Sequence, residues 1–422
     1  MRVKATSRGI TGLIVVAILL IAGYGRVANA YSATPSASTT QTQAAMGPFF
    51  RDLTRLETGK ITQLNILQLG DSHTAADFFS GRLRLLLQQR FGNAGRGAMP
   101  PGIAFQGVDQ RQMKFVQDDG WIVENSLKSS NTGPYGISGF VVKSQASGAR
   151  MGLSANTPED NFEEVGIDYL RHPGGGRFQV LLNGKPAASI STAGPEGQMG
   201  HYVFHSKTSL GEIEIIARAA NIGITSWSVN RPNHGIILTS HGVVGASADI
   251  FNRWSPPLVV SDIAALKPSL ILVVYGTNEG FDSDFKSGLY AQNFEHVLET
   301  LKKLAPNASI LVVGPPDSQK ADPACPTART EPSECTWGAP PALNAVRDIQ
   351  RDIAGKMGAG FWDWSSAMPE GMGAWVDRGL ARSDHVHFTP QGYETAADQL
   401  FEWLMTGYAS ARTHVSKHGQ RQ

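Results

Sequence analysis

The sequence predicts an α/β protein with a parallel sheet, into which an all-β sandwich is inserted. Three observations carry that prediction. The segments "ITQLNILQLG", "PSLILVVYGTNEG" and "ASILVVGPPD" read as buried strands. Amphipathic helical patterns alternate with them, notably "YAQNFEHVLETLKKLAP" and "PALNAVRDIQRDIAGKMG". Between about residues 116 and 235 the pattern changes to short alternating runs with no helix of normal length, which reads as a β-sandwich.

In chain order, "MRVKATSR" is positive, "GLIVVAILLIAG" is apolar but short for a span, and "VANA" places Ala28 and Ala30 in a small-x-small cleavage pattern. Residues 1–30 therefore read as a secretory signal, with an uncleaved membrane anchor as the alternative. Residues 31–46 are polar and small without periodicity and read as a disordered linker. A first α/β part spans 47–115. In it the segment from Ser72 to about Arg90 reads as a helix with Phe79, Leu83, Leu86 and Leu87 on one stripe. The following "GNAGRGAMPPG" lacks the ending of a P-loop and the spacing of a dinucleotide fingerprint, and reads as a surface loop. Within the insert, 116–235, "RFQVLLNGKPAASIST" is a hairpin turning at Asn183-Gly184, and "EEVGIDYL", "HYVFHS", "GEIEIIARA" and "ITSWSV" are strands. The second α/β part spans 236–408, with a last helix from about Gln391 to Leu404. A polar tail covers 409–422.

Of 422 residues 41% are hydrophobic and 17% charged, the balance of a globular protein with a sizeable core. A net charge of +1 without a long basic stretch argues against nucleic acid as a partner. The two cysteines, Cys325 and Cys335, lie in a Pro-rich loop. In an exported chain they are expected to pair, contributing about 2–3 kcal/mol. They leave no basis for a structural zinc site.

Four stretches hold residues suited to acyl chemistry: "GDSHT" at 70–74, "HGVVGAS" at 241–247, "YGTNEG" at 275–280 and "SDHVHF" at 383–388. A serine hydroxyl needs a base to become a nucleophile, and the base needs a carboxylate to fix its tautomer. Ser72, His387 and Asp384 could fill those roles. The N–H of Ser72, the N–H of Gly245 and the amide of Asn278 could stabilise an oxyanion. Other readings exist for each. Ser72 and Asp71 are also good helix starters. His385 and His387 could form a metal pair, although no further ligands accompany them. His234 and His241 read as structural or substrate-contacting. Trp227 of the insert suits either a sugar-stacking face or a packed core.

The content and order of these blocks resemble the SGNH (GDSL-type) esterase superfamily over roughly residues 60–108 and 236–405. The resemblance implies a three-layer fold with Ser72 as nucleophile, Gly245 and Asn278 as oxyanion donors beside the Ser72 N–H, and Asp384 and His387 completing a triad, with no metal or cofactor. "LQLGDSHTAADFFSGRLR", "YGTNEGF" and "VHFTPQGY" are similar in particular to the Gram-negative periplasmic peptidoglycan O-acetylesterases. So are His73, where leucine is usual in GDSL enzymes, and Glu279, where aspartate is common. That family also carries a β-sandwich similar to a carbohydrate-binding module between the first two blocks. The expectation is an exported, periplasmic serine esterase that removes O-acetyl groups from a glycan polymer, peptidoglycan first, with no stable membrane association once the signal is cleaved. Two rivals stand beside it: an envelope polysaccharide O-acetyltransferase using the same residues, and a non-catalytic glycan-binding protein.

Overall fold

The computed structural model describes residues 37–105, 110–322 and 336–419, with side chains placed between 41 and 413. The signal segment and both cysteines, Cys325 and Cys335, lie outside the described residues.

Five strands form a wholly parallel sheet in the spatial order Gly235–Gly242, Gln63–Gly70, Leu270–Val274, Ser309–Gly314, Gly360–Asp363. Numbered along the chain that order is 2-1-3-4-5. The connections therefore diverge from the first strand, and a crevice opens beyond its carboxyl end. Both faces are covered. Helices Gly47–Glu57, Phe78–Phe91 and Pro390–Gly419 lie on one side, with Phe49, Leu53, Phe79, Leu83 and Leu400 in the core. Helices Pro256–Leu266, Ser287–Leu304 and Leu343–Lys356 supply Leu258, Phe294 and Val346 to the other core, beneath Leu67 and Leu69. This two-sided cover explains why the strands lack polar alternation.

The sandwich packs two antiparallel sheets. One holds Gln198–Leu210, Phe162–Arg171, Gly223–Asn230, Phe140–Ser144 and Trp121–Asn125. The other holds Met113–Gln117, Arg150–Ala155, Glu212–Ala217, Arg177–Leu182 and Lys185–Ser191. The expected hairpin is present: Asn183 and Gly184 both take positive φ, 47° and 72°, as a tight two-residue turn requires. Trp227 is fully buried in the sandwich core and stacks on Phe115, so it offers no face to a sugar.

Four local expectations are corrected. The helix expected from Ser72 to Arg90 is two: a single turn, Ser72–Ala75, and then Phe78–Phe91. Asp77 breaks it with a left-handed φ of 54°, a conformation Asp tolerates better than most residues. Its buried carboxylate accepts from Ser80 Oγ (2.6 Å), Arg84 (2.7 Å), Arg96 (2.9 Å) and the Arg111 N–H (3.1 Å), and these partners outweigh helical continuity. The glycine-rich stretch is not a surface loop, for Gly95–Met99 is a buried strand antiparallel to Gly223–Asn230. Its glycines permit close approach, since a Cβ on Gly95 would lie 2.3 Å from the Asn230 Cα. Residues 37–45, expected in a disordered linker, form a helix. It is tied down by Gln41 Nε2 donating to the Gly355 carbonyl at 2.7 Å. The last helix continues from Pro390 to Gly419, through most of the expected polar tail.

Candidate active site

Strand Gln63–Gly70 delivers its last residue into a tight place. A Cβ on Gly70 would stand 2.2 Å from Thr74 Oγ1 and 2.6 Å from the Val274 carbonyl. The chain then turns, and Asp71 caps the turn by accepting from the His73 N–H at 2.9 Å. Two further contacts fix it: Gln68 Nε2 donates to Thr74 Oγ1 (2.9 Å), and His73 Nδ1 meets the Tyr393 hydroxyl at 3.0 Å. Ser72 therefore stands on a rigid turn at the carboxyl end of the strand Gln63–Gly70. It is also an N-terminal residue of its one-turn helix, so the structural and the chemical reading of its position coexist.

His387 comes to Ser72 from 315 residues away. Its Nε2 is 2.9 Å from Ser72 Oγ, and its Nδ1 is 2.9 Å from Asp384 Oδ2. The other oxygen, Asp384 Oδ1, accepts from the N–H groups of Val386 and His387, both at 2.9 Å. Partial burial works to raise the Asp384 carboxyl. The His387 ring and the two backbone donors prevail and hold it well below the usual carboxylate range. An ionised Asp384 takes the Nδ1 proton of His387 in a hydrogen bond, which leaves Nε2 free to accept from the serine.

His385 turns away from this chain. It adopts φ 56°, stacks on Trp337 with ring centres 3.6 Å apart, and places Nδ1 2.6 Å from Gln319 Oε1. The two histidines of "SDHVHF" thus serve different partners. His73 is buried behind His387, with ring centres 5.5 Å apart. Burial first, and the neighbouring His387 second, push His73 down to about 3, so it is neutral and leaves room for positive charge on His387.

The other two stretches meet across a loop contact. Asn278 Nδ2 donates to the Ala246 carbonyl at 2.8 Å, and the Ala248 N–H donates to Glu279 Oε1 at 2.8 Å. This pair of bonds clamps the loop carrying Gly245 (φ 82°) to the turn Thr277–Gly280. Gly245 and Asn278 line one cavity of about 570 Å³ together with Ser247, Asp249, Asp282 and Leu289. The Asn278 amide keeps a second N–H beyond the one given to Ala246. Burial pushes Glu279 up to about 7 and Asp71 up to about 8.

His234 bonds the Leu56 carbonyl at 2.8 Å, a structural contact. His241 is buried and pushed down to about 3, by burial first and by Arg96 second. Sequence reasoning missed the Asp77 cluster, the Glu279–Ala248 bond and the Trp337–His385 stack. Only the first left a trace, the spacing of Asp77 and Arg84 two helical turns apart. The other two depend on loops whose meeting no local pattern encodes.

The sequence model of the GDSL-like Lipase/Acylhydrolase family matches residues 223–395, which include Gly245, Asn278, Asp384 and His387 but not Ser72. A solved structure of a peptidoglycan O-acetylesterase is similar at 26% identity, covering 88% of this chain and 98% of its own, with a TM-score of 0.72. A family two carbohydrate esterase from Clostridium thermocellum, solved with cellohexaose, is 13% identical over 68% of this chain and 100% of its own, with a TM-score of 0.29. No curated protein sequence matches the chain. The SGNH fold and the family match identify a carboxylic ester hydrolase.

Proposed function

We propose that this chain, a carboxylic ester hydrolase of SGNH fold, is an exported esterase that removes O-acetyl groups from a glycan, O-acetylated peptidoglycan first. The observation that carries the reading is the unbroken hydrogen-bonded series from Ser72 through His387 to Asp384 at the carboxyl end of the strand Gln63–Gly70. Ser72 Oγ attacks the acetyl carbonyl while His387 Nε2 takes its proton. Asp384 stabilises the imidazolium so formed. The negative charge on the carbonyl oxygen is met by the N–H groups of Ser72 and Gly245 and by the free amide N–H of Asn278. The sugar alkoxide leaves with the proton held by His387. Water, deprotonated by the same ring, attacks the acetyl-serine and releases acetate.

The glycan part of the proposal is supported by likeness to the peptidoglycan O-acetylesterase, which extends over most of both chains. Export is supported by the positive, apolar and small-residue order of residues 1–30. The test is acetate release from O-acetylated peptidoglycan, with base-deacetylated peptidoglycan and acetylated xylan alongside. The expected result is release from the first, none from the second, and loss of release in a folded Ser72→Ala variant. Equal or faster release from xylan overturns the substrate, and continued acetate release from peptidoglycan by a folded Ser72→Ala variant overturns the mechanism.

A further inference from the structure

A second series of carboxylate, imidazole and hydroxyl lies where the sandwich meets the helix Pro256–Leu266. Asp168 and His201 face each other on adjacent antiparallel strands, and Ser226 is the Asp168 partner on the next strand. Asp168 Oδ1 is 2.7 Å from His201 Nδ1, and His201 Nε2 is 2.7 Å from Ser261 Oγ on the helix. The second Asp168 oxygen is held by the Ser226 hydroxyl at 2.5 Å. We propose that Ser261 is a second activated nucleophile, which takes the acyl group of small, short-chain esters with His201 as its base and Asp168 as the group that orients it.

A carboxylate fixed by Ser226 draws the imidazole proton to Nδ1. The Nε2 lone pair is then left to the Ser261 hydroxyl, which donates out of its own helix. This is the arrangement a serine needs to become nucleophilic. An ordinary surface serine has no such base. Asp168, His201 and Ser226 line a cavity of about 250 Å³, which the Ser261 helix borders through Asp262, Ala265 and Leu266 rather than through Ser261 itself, and Val203, 54% exposed, marks its open side. That volume suits a short acyl chain on a polar alcohol. Two buried polar groups also stand in its wall. His241 is 3% exposed, and its Nδ1 has no partner among the described residues. Asp262 is pushed up to about 7 by burial, so near neutral pH a share of it carries a proton to donate.

The step balances without a cofactor. The Ser261 Oγ–acyl bond forms and the ester C–O bond breaks. The serine proton passes through His201 Nε2 to the departing alkoxide. Water then cleaves the acyl-serine, giving the carboxylic acid and restoring the hydroxyl.

The test treats the full chain with a small alkyl fluorophosphonate and locates adducts by peptide mass spectrometry. Adducts are expected on both Ser72 and Ser261 in the wild type, and on Ser261 alone in Ser72→Ala. His201→Gln should slow labelling of Ser261 about 100-fold, the lower range for loss of a general base, with labelling of Ser72 unchanged. Ser261→Ala, which leaves the Asp168–His201 contact in place, should abolish the second adduct and the residual p-nitrophenyl acetate hydrolysis of the Ser72→Ala chain. No Ser261 adduct on folded protein, or one that forms as fast in His201→Gln, overturns the proposal. The two serines lie on separate peptides, so failure at Ser72 and failure at Ser261 are read independently.

Discussion

Asp384→Asn isolates the proton arrangement from the fold. The carboxylate has three partners: Val386 N–H and His387 N–H on Oδ1, and the His387 ring on Oδ2, each at 2.9 Å. An asparagine can keep its oxygen on the two backbone donors, so the turn that presents His387 survives. Its amide nitrogen then faces His387 Nδ1. Two donors cannot share that contact, so the ring must give up its Nδ1 proton and carry it on Nε2 instead. The Nε2 atom, 2.9 Å from Ser72 Oγ, becomes a donor and can no longer take the serine proton. A wrong tautomer of this kind costs about 10⁴ in kcat, or about 5.5 kcal/mol of barrier. The assay is hydrolysis of p-nitrophenyl acetate in a Ser261→Ala background, so that Ser72 alone is read, with kcat and KM resolved separately and a urea transition run beside it. The expected result is a kcat near 10⁻⁴ of wild type, little change in KM, and a midpoint close to wild type. A loss below tenfold would refute the assignment of Asp384. A collapse in stability would refute the claim that asparagine can hold the turn.

Asn278→Ala should lower kcat by about 10²–10³, the size of one lost oxyanion donor; a change confined to KM would make Asn278 a substrate contact instead. Asp77→Ala leaves Arg84 and Arg96, each 1% exposed, without their shared carboxylate. Breaking such a buried pair costs about 3–5 kcal/mol, to be read as a urea-midpoint shift; a loss under about 1 kcal/mol would show that water or Gln110 replaces the carboxylate. Burial raises Glu279 to about 7, against an ordinary carboxyl near ~4.3 in the unfolded chain. Between those values the folded chain keeps a proton that the unfolded chain has released, so stability falls as pH rises through that window. Asp262 at about 7 and Asp71 at about 8 act in the same direction. Glu279→Gln keeps an acceptor for the Ala248 N–H and should flatten the decline in urea midpoint between pH 5 and pH 8. An unchanged slope would mean that Glu279 ionises in the folded chain as freely as in the unfolded one.

The sequence foretold the elements that local physics specifies. Short apolar runs bounded by turn residues fit strands covered on both faces, and Leu270–Val274 and Ser309–Gly314 are such strands, with every residue buried. Asn183-Gly184 announces a turn because few other pairs accept two positive φ values. The failures share one cause, which is that a distant partner overrides a local preference. Asp77 sits in a good helical pattern but turns left-handed to meet Arg96 and the Arg111 N–H. The glycines of Gly95–Met99 look like a loop until Asn230 and Thr239 are seen pressing against them. The polar residues 37–45 have no apolar stripe of their own, yet Gln41 finds the end of the helix Leu343–Lys356. At the site the residue types and their order were legible. The Ser72–His387 distance was not, because it depends on how the helix Pro390–Gly419 packs against Phe78–Phe91.

The buried strand Gly95–Met99 bears on how the insert and the parallel sheet act together. It pairs with Gly223–Asn230 of the sandwich, while its Ala98 N–H donates to Thr239 Oγ1 at 3.0 Å. Gln88 of the helix that follows Ser72 also donates to the Gly95 carbonyl at 2.7 Å. Thr239 belongs to the strand Gly235–Gly242, and three residues after that strand ends the chain reaches Gly245. The sandwich is therefore fastened to the two elements that frame the reacting centre: the helix beyond the serine and the strand that carries the proposed oxyanion loop. Since packed interiors transmit displacement with little give, a displacement of the sandwich and the placement of Gly245 against Asn278 are mechanically one problem, whose solution runs through the close contact between Gly97 and Thr239.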